Sequence, residues 1–154
     1  MRGRAAAAAF ILAYAAAPAA AETRPYWNAQ WGSPQKASAG LGLLFGRISG
    51  EQLQVASRAG LVELRPGIGG GALHVGFAPL VLKTRTFGFG GAALKGTLLR
   101  TWGTPGASLE PRATYAGGEL HLAWIVKGSV GVLWRVSGPG EKTHVVTWGV
   151  GLGL

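Results

Sequence analysis

The sequence contains no cysteine and no aspartate. Without cysteine, the chain has no disulfide, no thiolate metal ligand and no cysteine nucleophile. All six acidic residues are therefore glutamates, against fifteen lysines and arginines. Because covalent crosslinks are absent, we expect closure of a sheet to supply the stability of the fold.

The sequence also lacks a run of roughly 18 to 20 strongly apolar residues, the length that a membrane-spanning helix requires. Its one extended apolar run follows Arg2 and Arg4, is rich in alanine, includes Phe10 and Ile11, and ends in small residues at positions 19–21. This arrangement is typical of an export signal. We expect residues 1–21 to be a signal peptide, 22–35 an irregular N-terminal segment and 36–154 a single domain.

Basic residues outnumber acidic ones even after Arg2 and Arg4 are removed, which leaves a net charge of about +7. These charges are scattered singly and are not interleaved with aromatic residues, so the pattern argues against nucleic-acid binding. Anionic lipid head groups, such as those of lipopolysaccharide, are the electrostatic partners that the pattern favours.

The last eleven residues, 144–154, place a bulky apolar side chain at every second position from Val146 to Leu154. The intervening positions carry Thr147 and three glycines. A two-residue period predicts a strand with one apolar face and one nearly side-chain-free face. Such a strand suits a small closed barrel that has lipid outside and little space inside. Residues 39–46 repeat the pattern.

Two hairpins sort charged and apolar residues onto opposite faces. A turn at Gly69-Gly70 pairs Leu64 with Val75 and sets Arg65 across from His74.

A turn at residues 127–129 pairs Leu120 with Val136 and sets His121 across from Arg135. Between the two hairpins, Phe87 and Leu94 would fall on opposite faces of a regular strand. A bulge at Gly90-Gly91 would place both on the outward face and turn Lys95 inward.

Seven strands are predicted, near 38–47, 60–68, 71–81, 87–102, 111–126, 130–137 and 144–154. Bacterial single-chain barrels have an even number of strands. We therefore expect an eighth strand in 22–35 or in 51–58, giving an all-β, antiparallel up-and-down β-barrel.

The alternation predicts which side chains point into the lumen and which meet lipid. The predicted lumen network consists of paired charges and histidines, because unpaired buried charges cost several kcal/mol each; its members are Glu63, Arg65, His74, Lys95, Glu119, His121 and Arg135. The predicted lipid-facing residues are Leu120, Leu122, Trp124, Val132, Trp134, Val136, Val146, Trp148, Val150, Leu152 and Leu154. The opposite orientation, an exported soluble barrel that binds an apolar ligand in the periplasm or outside the cell, remains the alternative.

This combination of a signal peptide, alternating strands and an apolar C-terminal strand resembles the small outer-membrane β-barrels of Gram-negative bacteria, typified by the OmpA membrane domain and the lipid A deacylase PagL. The resemblance covers about residues 36–154. It implies residence in the outer membrane and delivery by the barrel-assembly machinery. Proteins of this class usually end in an aromatic residue, where this chain has Leu154.

Glu119, His121 and either Ser129 or Ser137 invite comparison with a Ser-His-Glu triad, in which a carboxylate orients the base that activates serine. The predicted register places no serine between Glu119 and His121. The deacylases that the chain resembles carry a His-x-Ser arrangement, which follows none of its three histidines. We therefore predict no catalytic residue and keep a lipid A-acting hydrolase as the third alternative.

His74, His121 and His144 lie far apart in the sequence, with no cysteine or aspartate to join them in a metal site. The sequence thus predicts no metal and no cofactor. An eight-stranded barrel filled by paired charges would not conduct ions. The favoured function is a non-enzymatic envelope protein or surface binder, and the sequence leaves its oligomeric state open.

Overall fold

The computed structural model describes residues 22–46, 59–84, 88–107 and 109–153, and all its regular elements are strands. No helix in the described part is long and apolar enough to cross a membrane. The strands are β1 (Glu22–Ser33), β2 (Lys36–Gly46), β3 (Ala59–Gly67), β4 (Gly70–Thr84), β5 (Gly88–Thr101), β6 (Thr114–Ala123), β7 (Lys127–Ser137) and β8 (His144–Gly153). The expected signal peptide, the alternative strand at 51–58, Phe87 and Leu154 lie outside the described residues.

Each strand pairs antiparallel with its neighbour in the chain, and β1 also pairs with β8, where Trp31 lies opposite Val150. The sheet therefore closes into an eight-stranded up-and-down barrel, which confirms the predicted fold class. The seam pairs residues 28–33 of β1 with residues 148–153 of β8, so neither strand is an open sheet edge along that stretch.

The eighth strand is β1, so the expectation of an irregular segment at 22–35 was wrong. Pro25 and Pro34 gave this stretch the composition of a loop, but Pro25 lies near the start of the strand and Pro34 in the turn that follows it. Tyr26 and Asn28 point inward and are buried, whereas Trp27 between them is exposed. The barrel thus begins at Glu22, not at residue 36.

The hairpin of β3 and β4 turns at Ile68-Gly69, one residue earlier than predicted. Leu64 consequently pairs with Leu73, and His74 lies opposite Glu63 instead of Arg65. The turn also joins its neighbour, because the Gly69 amide donates to the Gln35 carbonyl at 2.9 Å. Each residue of β3 therefore pairs with a residue of β4 two positions away from the predicted one. Because side chains alternate between faces with a period of two, every side chain keeps its predicted face.

The hairpin of β6 and β7 turns at residues 124–126, and the predicted turn at 127–129 lies within β7. Leu120 pairs with Val130 instead of Val136, and His121 lies opposite Ser129 instead of Arg135. This shift of six residues again preserves the faces. It moves Trp124 into a turn, where it is exposed.

The predicted bulge at Gly90-Gly91 was also wrong. The β4–β5 ladder is irregular between Phe77 and Leu80, where two residues of β4 lie opposite Ala93 alone. Pro79 is one of those two residues. Because proline lacks an amide hydrogen and cannot join a regular ladder, the irregularity falls in β4 and not in the glycines of β5.

The barrel has two rims. The upper rim carries the turns at 34–35 and 68–69 and the loops at 102–113 and 138–143, whereas β1 begins and β8 ends at the lower rim. The loop at 102–113 folds against the upper turns, since the Gly106 amide donates to the Pro34 carbonyl at 2.7 Å and the Trp102 amide to the Gly69 carbonyl at 3.3 Å. This loop therefore covers the upper end of the barrel.

Candidate functional site

The outward face of the barrel is an apolar belt. Each of the eight strands has at least one large hydrophobic side chain exposed there. The belt includes Trp27, Trp31, Leu41, Leu43, Leu64, Leu73, Val75, Phe77, Leu94, Leu98, Leu120, Leu122, Val130, Val132, Trp134, Val136, Val146, Trp148, Val150 and Leu152. Every predicted lipid-facing residue that the structure describes is exposed, and Trp124 lies just beyond the end of β6.

The interior is built in three layers. Near the lower rim, Tyr26, Leu44, Ala59, Leu61 and Ala78 form an apolar cluster.

Near the upper rim, a second apolar cluster contains Leu99, Tyr115, Leu133 and Val145 and is covered by Leu109 from the loop at 102–113. Between the two clusters lies a set of buried charged residues, here called the ionic layer: Glu63, Arg65, His74, Lys95, Glu119, His121 and Lys127.

Glu63 is the centre of one half of the ionic layer. Its Oε2 accepts hydrogen bonds from Lys95 Nζ and, at 2.9 Å, from the hydroxyl of Tyr26. Its Oε1 lies 3.8 Å from Arg65 Nη1. Lys95 also lies 5.7 Å from the centre of the Tyr26 ring. A buried carboxylate is thus surrounded by donors that offset its lost hydration.

Glu119 is the centre of the other half. Its Oε2 accepts from Arg65 Nη2 at 3.2 Å and lies 3.0 Å from His121 Nε2 and 3.6 Å from His74 Nδ1. His74 Nδ1 also lies 2.9 Å from Thr97 Oγ1. Arg65 contacts both glutamates, so it links the two halves into one network.

Gln35 holds Arg65 in place from the turn between β1 and β2. Its Oε1 accepts from Arg65 Nε at 3.1 Å, and its Nε2 donates to the Arg65 carbonyl at 2.8 Å. The arginine is therefore fixed through its side chain and its backbone by one residue.

The structure brings together six of the seven residues predicted for the lumen network and separates the seventh. Arg135 has the inward parity but is only half buried and lies near the upper rim. A side chain added at Gly140 would meet Arg135 Nη1 at 3.3 Å and Glu110 Cγ at 3.2 Å. Arg135 therefore lies beside Glu110 at the rim, because the register of β7 carries it six residues away from His121.

Sequence reasoning missed Lys127, Tyr26 and Gln35. Lys127 is fully buried, but the Lys-Gly-Ser sequence has the composition of a turn. Tyr26 and Gln35 lie in the stretch that was expected to be irregular. The alternation of Tyr26, Asn28 and Gln30 with apolar residues was the signal that could have identified β1.

His74, Glu119 and His121 are the one group of described residues whose ligand atoms lie close enough, within 4.8 Å of one another, to hold a metal ion. The barrel thus joins two histidines that are far apart in the sequence. However, Arg65 already donates to Glu119 Oε2, and Lys95 and Lys127 are buried in the same layer. Because a divalent cation would displace Arg65 and add to this positive charge, the group suits an ion-paired network better than a metal site.

The residues of the candidate triad do not assemble. Ser129 lies opposite His121 across the β6–β7 ladder. The histidine Nε2 is engaged by Glu119, and its Nδ1 has no hydrogen-bond partner among the described residues. Ser137 lies at the end of β7 and is exposed. No serine among the described residues therefore has the hydrogen bond to His121 that nucleophile activation requires.

Comparison of the chain with protein-family models, with curated proteins and with solved structures gave no match. Function therefore has to be inferred from the fold and from the arrangement of charged and apolar side chains.

Proposed function

We propose that the protein is a small integral β-barrel of the outer membrane, non-enzymatic, with a filled lumen that does not conduct. The observation that carries this proposal is the apolar belt: all eight strands expose large hydrophobic residues outward, while the charged side chains of the ionic layer are buried. A protein surrounded by water has the opposite arrangement, with apolar side chains buried and charged side chains exposed.

The extent of the belt supports lipid as its surroundings. Soluble monomers rarely expose contiguous apolar patches larger than a few hundred Å², whereas this belt continues around the whole barrel. At outward strand positions whose side chains are described, the only ionisable residues are Arg100 and His144, and both lie close to the upper rim. An apolar band bounded by polar residues is the pattern of membrane barrels.

The layered interior supports a closed lumen. An ion that entered from either rim would meet an apolar cluster before it reached the ionic layer, and the loop at 102–113 covers the upper end. Moving an ion through such clusters is costly. The proposal therefore assigns the protein to envelope structure or surface binding and not to general diffusion.

Partners follow from this location. Outer-membrane lipids and lipopolysaccharide would surround the belt, and the barrel-assembly machinery would insert the chain after export by the signal peptide.

Fractionation of a Gram-negative host that expresses the full chain tests the proposal. We expect the protein in the outer-membrane pellet after a carbonate wash, and we expect its gel mobility to change on boiling, because a closed barrel resists detergent until it is heated. A soluble periplasmic or secreted product without this mobility change would overturn the proposal.

A further inference from the structure

Arg100 occupies an unusual position on the barrel exterior. It lies on the outward face of β5 between the exposed residues Leu98 and Trp102. Among outward strand positions with described side chains, it is the only arginine. A guanidinium beside the apolar belt is stabilised where it can reach the polar head groups of the bilayer.

Trp102 marks the level of the head groups. Its indole Nε1 donates to the Gly67 carbonyl at 3.0 Å, and its ring lies over Gly71, where an added Cβ would approach Cζ3 to 2.9 Å. Gly71 is the cross-strand partner of Arg100. Tryptophan concentrates at the boundary between hydrocarbon and head groups, so Arg100 lies at that boundary.

The backbone of Arg112 lies beside that of Arg100 at the rim, so its exposed side chain starts from the same part of the barrel end. Its amide donates to the Thr101 carbonyl at 2.9 Å, one residue from Arg100. Thr114, two residues further on, lies opposite Arg100 and accepts a hydrogen bond from its Nη1 at 2.7 Å. Arg112 is exposed and has a φ of 66°, a backbone conformation that L-residues rarely adopt.

Glu110 is close to Arg112 in the chain and its carbonyl accepts from Thr101 Oγ1 at 2.7 Å, but its side chain is directed toward Arg135. Glu110 flanks Gly140 together with Arg135. Lys36 donates to Thr104 Oγ1 at 3.3 Å and Lys142 to the Ala107 carbonyl at 2.5 Å, so both lysines hold the covering loop. Within the described part of the chain, neither Arg100 nor Arg112 forms a salt bridge.

We propose that Arg100, Arg112 and Thr114 bind the phosphate of a lipid head group at the upper rim. This inference rests on the proposed function, because it needs the belt to lie in a bilayer. Guanidinium groups form paired, charge-assisted hydrogen bonds with phosphate oxygens, and the threonine hydroxyl fixes one guanidinium of the pair.

The topology identifies the leaflet. β1 begins and β8 ends at the lower rim, and the rim that holds both strand ends is the periplasmic one for a barrel inserted after export. The upper rim then faces the outer leaflet. The ligand is a phosphorylated glycolipid of that leaflet, of the lipid A class.

The test measures binding of bisphosphorylated lipid A and of the same lipid without phosphate to the folded barrel in detergent micelles. We expect the wild type to bind the phosphorylated lipid roughly tenfold more tightly, and the Arg100→Gln, Arg112→Gln double variant to lose this preference. Arg24→Gln, which removes an arginine at the lower rim, is the matched control and should keep it. Because the two lipids have identical acyl chains, contacts of those chains with the apolar belt contribute equally to both affinities and do not change the measured preference.

Inorganic phosphate at the concentration of the lipid should leave lipid binding unchanged; full competition would indicate a site for free phosphate and would overturn the assignment to a head group. Equal affinity of the wild type for both lipids, or loss of preference in Arg24→Gln, would also overturn it. Each variant is first checked for the boiling-dependent mobility shift. A barrel that inserts but does not discriminate refutes this inference alone, whereas a wild type that fails to insert refutes the proposed function.

Discussion

Eight strands enclose little space, and this limits the size of the side chains that the barrel interior can hold. A large inward side chain can lie over the neighbouring strand only where that strand has no side chain, and Gly42, the cross-strand partner of Tyr26, provides such a position. A Cβ on Gly42 would lie 2.6 Å from the phenolic oxygen of Tyr26, which in turn donates to Glu63. Glycine in this strand is therefore required by packing and not by turn geometry.

Substitution of Gly42 tests this requirement. We expect Gly42→Ala to destabilise the barrel by about 1–3 kcal/mol, because the added methyl group overpacks the ring of Tyr26. The matched control is Gly128→Ala in β7, where no heavy atom lies within 4 Å of the added Cβ. Urea unfolding in lipid vesicles, followed by gel mobility, measures both changes; equal stabilities of the two variants would contradict the packing assignment.

The buried ion pair of Glu63 and Lys95 leads to a second prediction. Glu63→Gln should destabilise the barrel by about 3–5 kcal/mol, since it leaves a buried lysine without its carboxylate. Glu63→Gln combined with Lys95→Met should recover much of the loss, because it removes both charges. As a control, Glu22→Gln at the exposed lower rim should cost less than about 1 kcal/mol. The same unfolding assay applies, and a double variant less stable than Glu63→Gln would contradict this expectation.

The sequence predicted which face of each strand points outward, but it did not predict the register in which neighbouring strands pair. Both hairpins were shifted by an even number of residues, so the apolar alternation still identified which side of each strand faces outward. The positions of the turns could not be read locally, because Lys127-Gly128-Ser129 has turn composition and yet Lys127 is buried with the glutamates across the lumen. The depth of Arg135 depends on this register, which is why its place in the network was wrong.

The outward face of β7 provides a prediction at the element scale. Val132→Arg, at the middle of the strand, should cost about 2–4 kcal/mol, whereas Val136→Arg, near the upper rim, should cost at most about 1 kcal/mol. The two substitutions are chemically identical and lie on the same face, so they differ in depth alone. The yield of heat-modifiable protein in vesicles reports the difference. Equal tolerance at both positions would show that this face does not cross a hydrocarbon layer.

The whole molecule combines a closed sheet with an interior that is apolar at both ends and charged in between. Closure and strand number could be anticipated from the alternation, because an even, edge-free sheet is the stable solution in lipid. The separation of the interior into three layers could not, because it depends on which residues of distant strands reach the same height in the barrel. Glu63 and Lys95, or Glu119 and Arg65, meet only after the register is set.

This layering predicts that the purified protein forms no pore. In planar lipid bilayers we expect no conductance steps above background, because each apolar cluster blocks the path to the ionic layer. Regular steps at low voltage would contradict the closed lumen while leaving membrane insertion intact.

The orientation of the sheet, apolar side to lipid and charged side to lumen, is the central claim, and the absence of cysteine allows it to be measured directly. Single cysteines at Val132, on the outward face of β7, and at Ser137, at the exposed upper end of that strand, would carry spin labels in protein reconstituted into vesicles. We predict that the label at 132 is accessible to oxygen dissolved in the bilayer and inaccessible to a water-soluble nickel chelate, and that the label at 137 is accessible to the nickel chelate. A label at 132 that is reached by the nickel chelate and not by oxygen would contradict the account, because the outward face would then meet water.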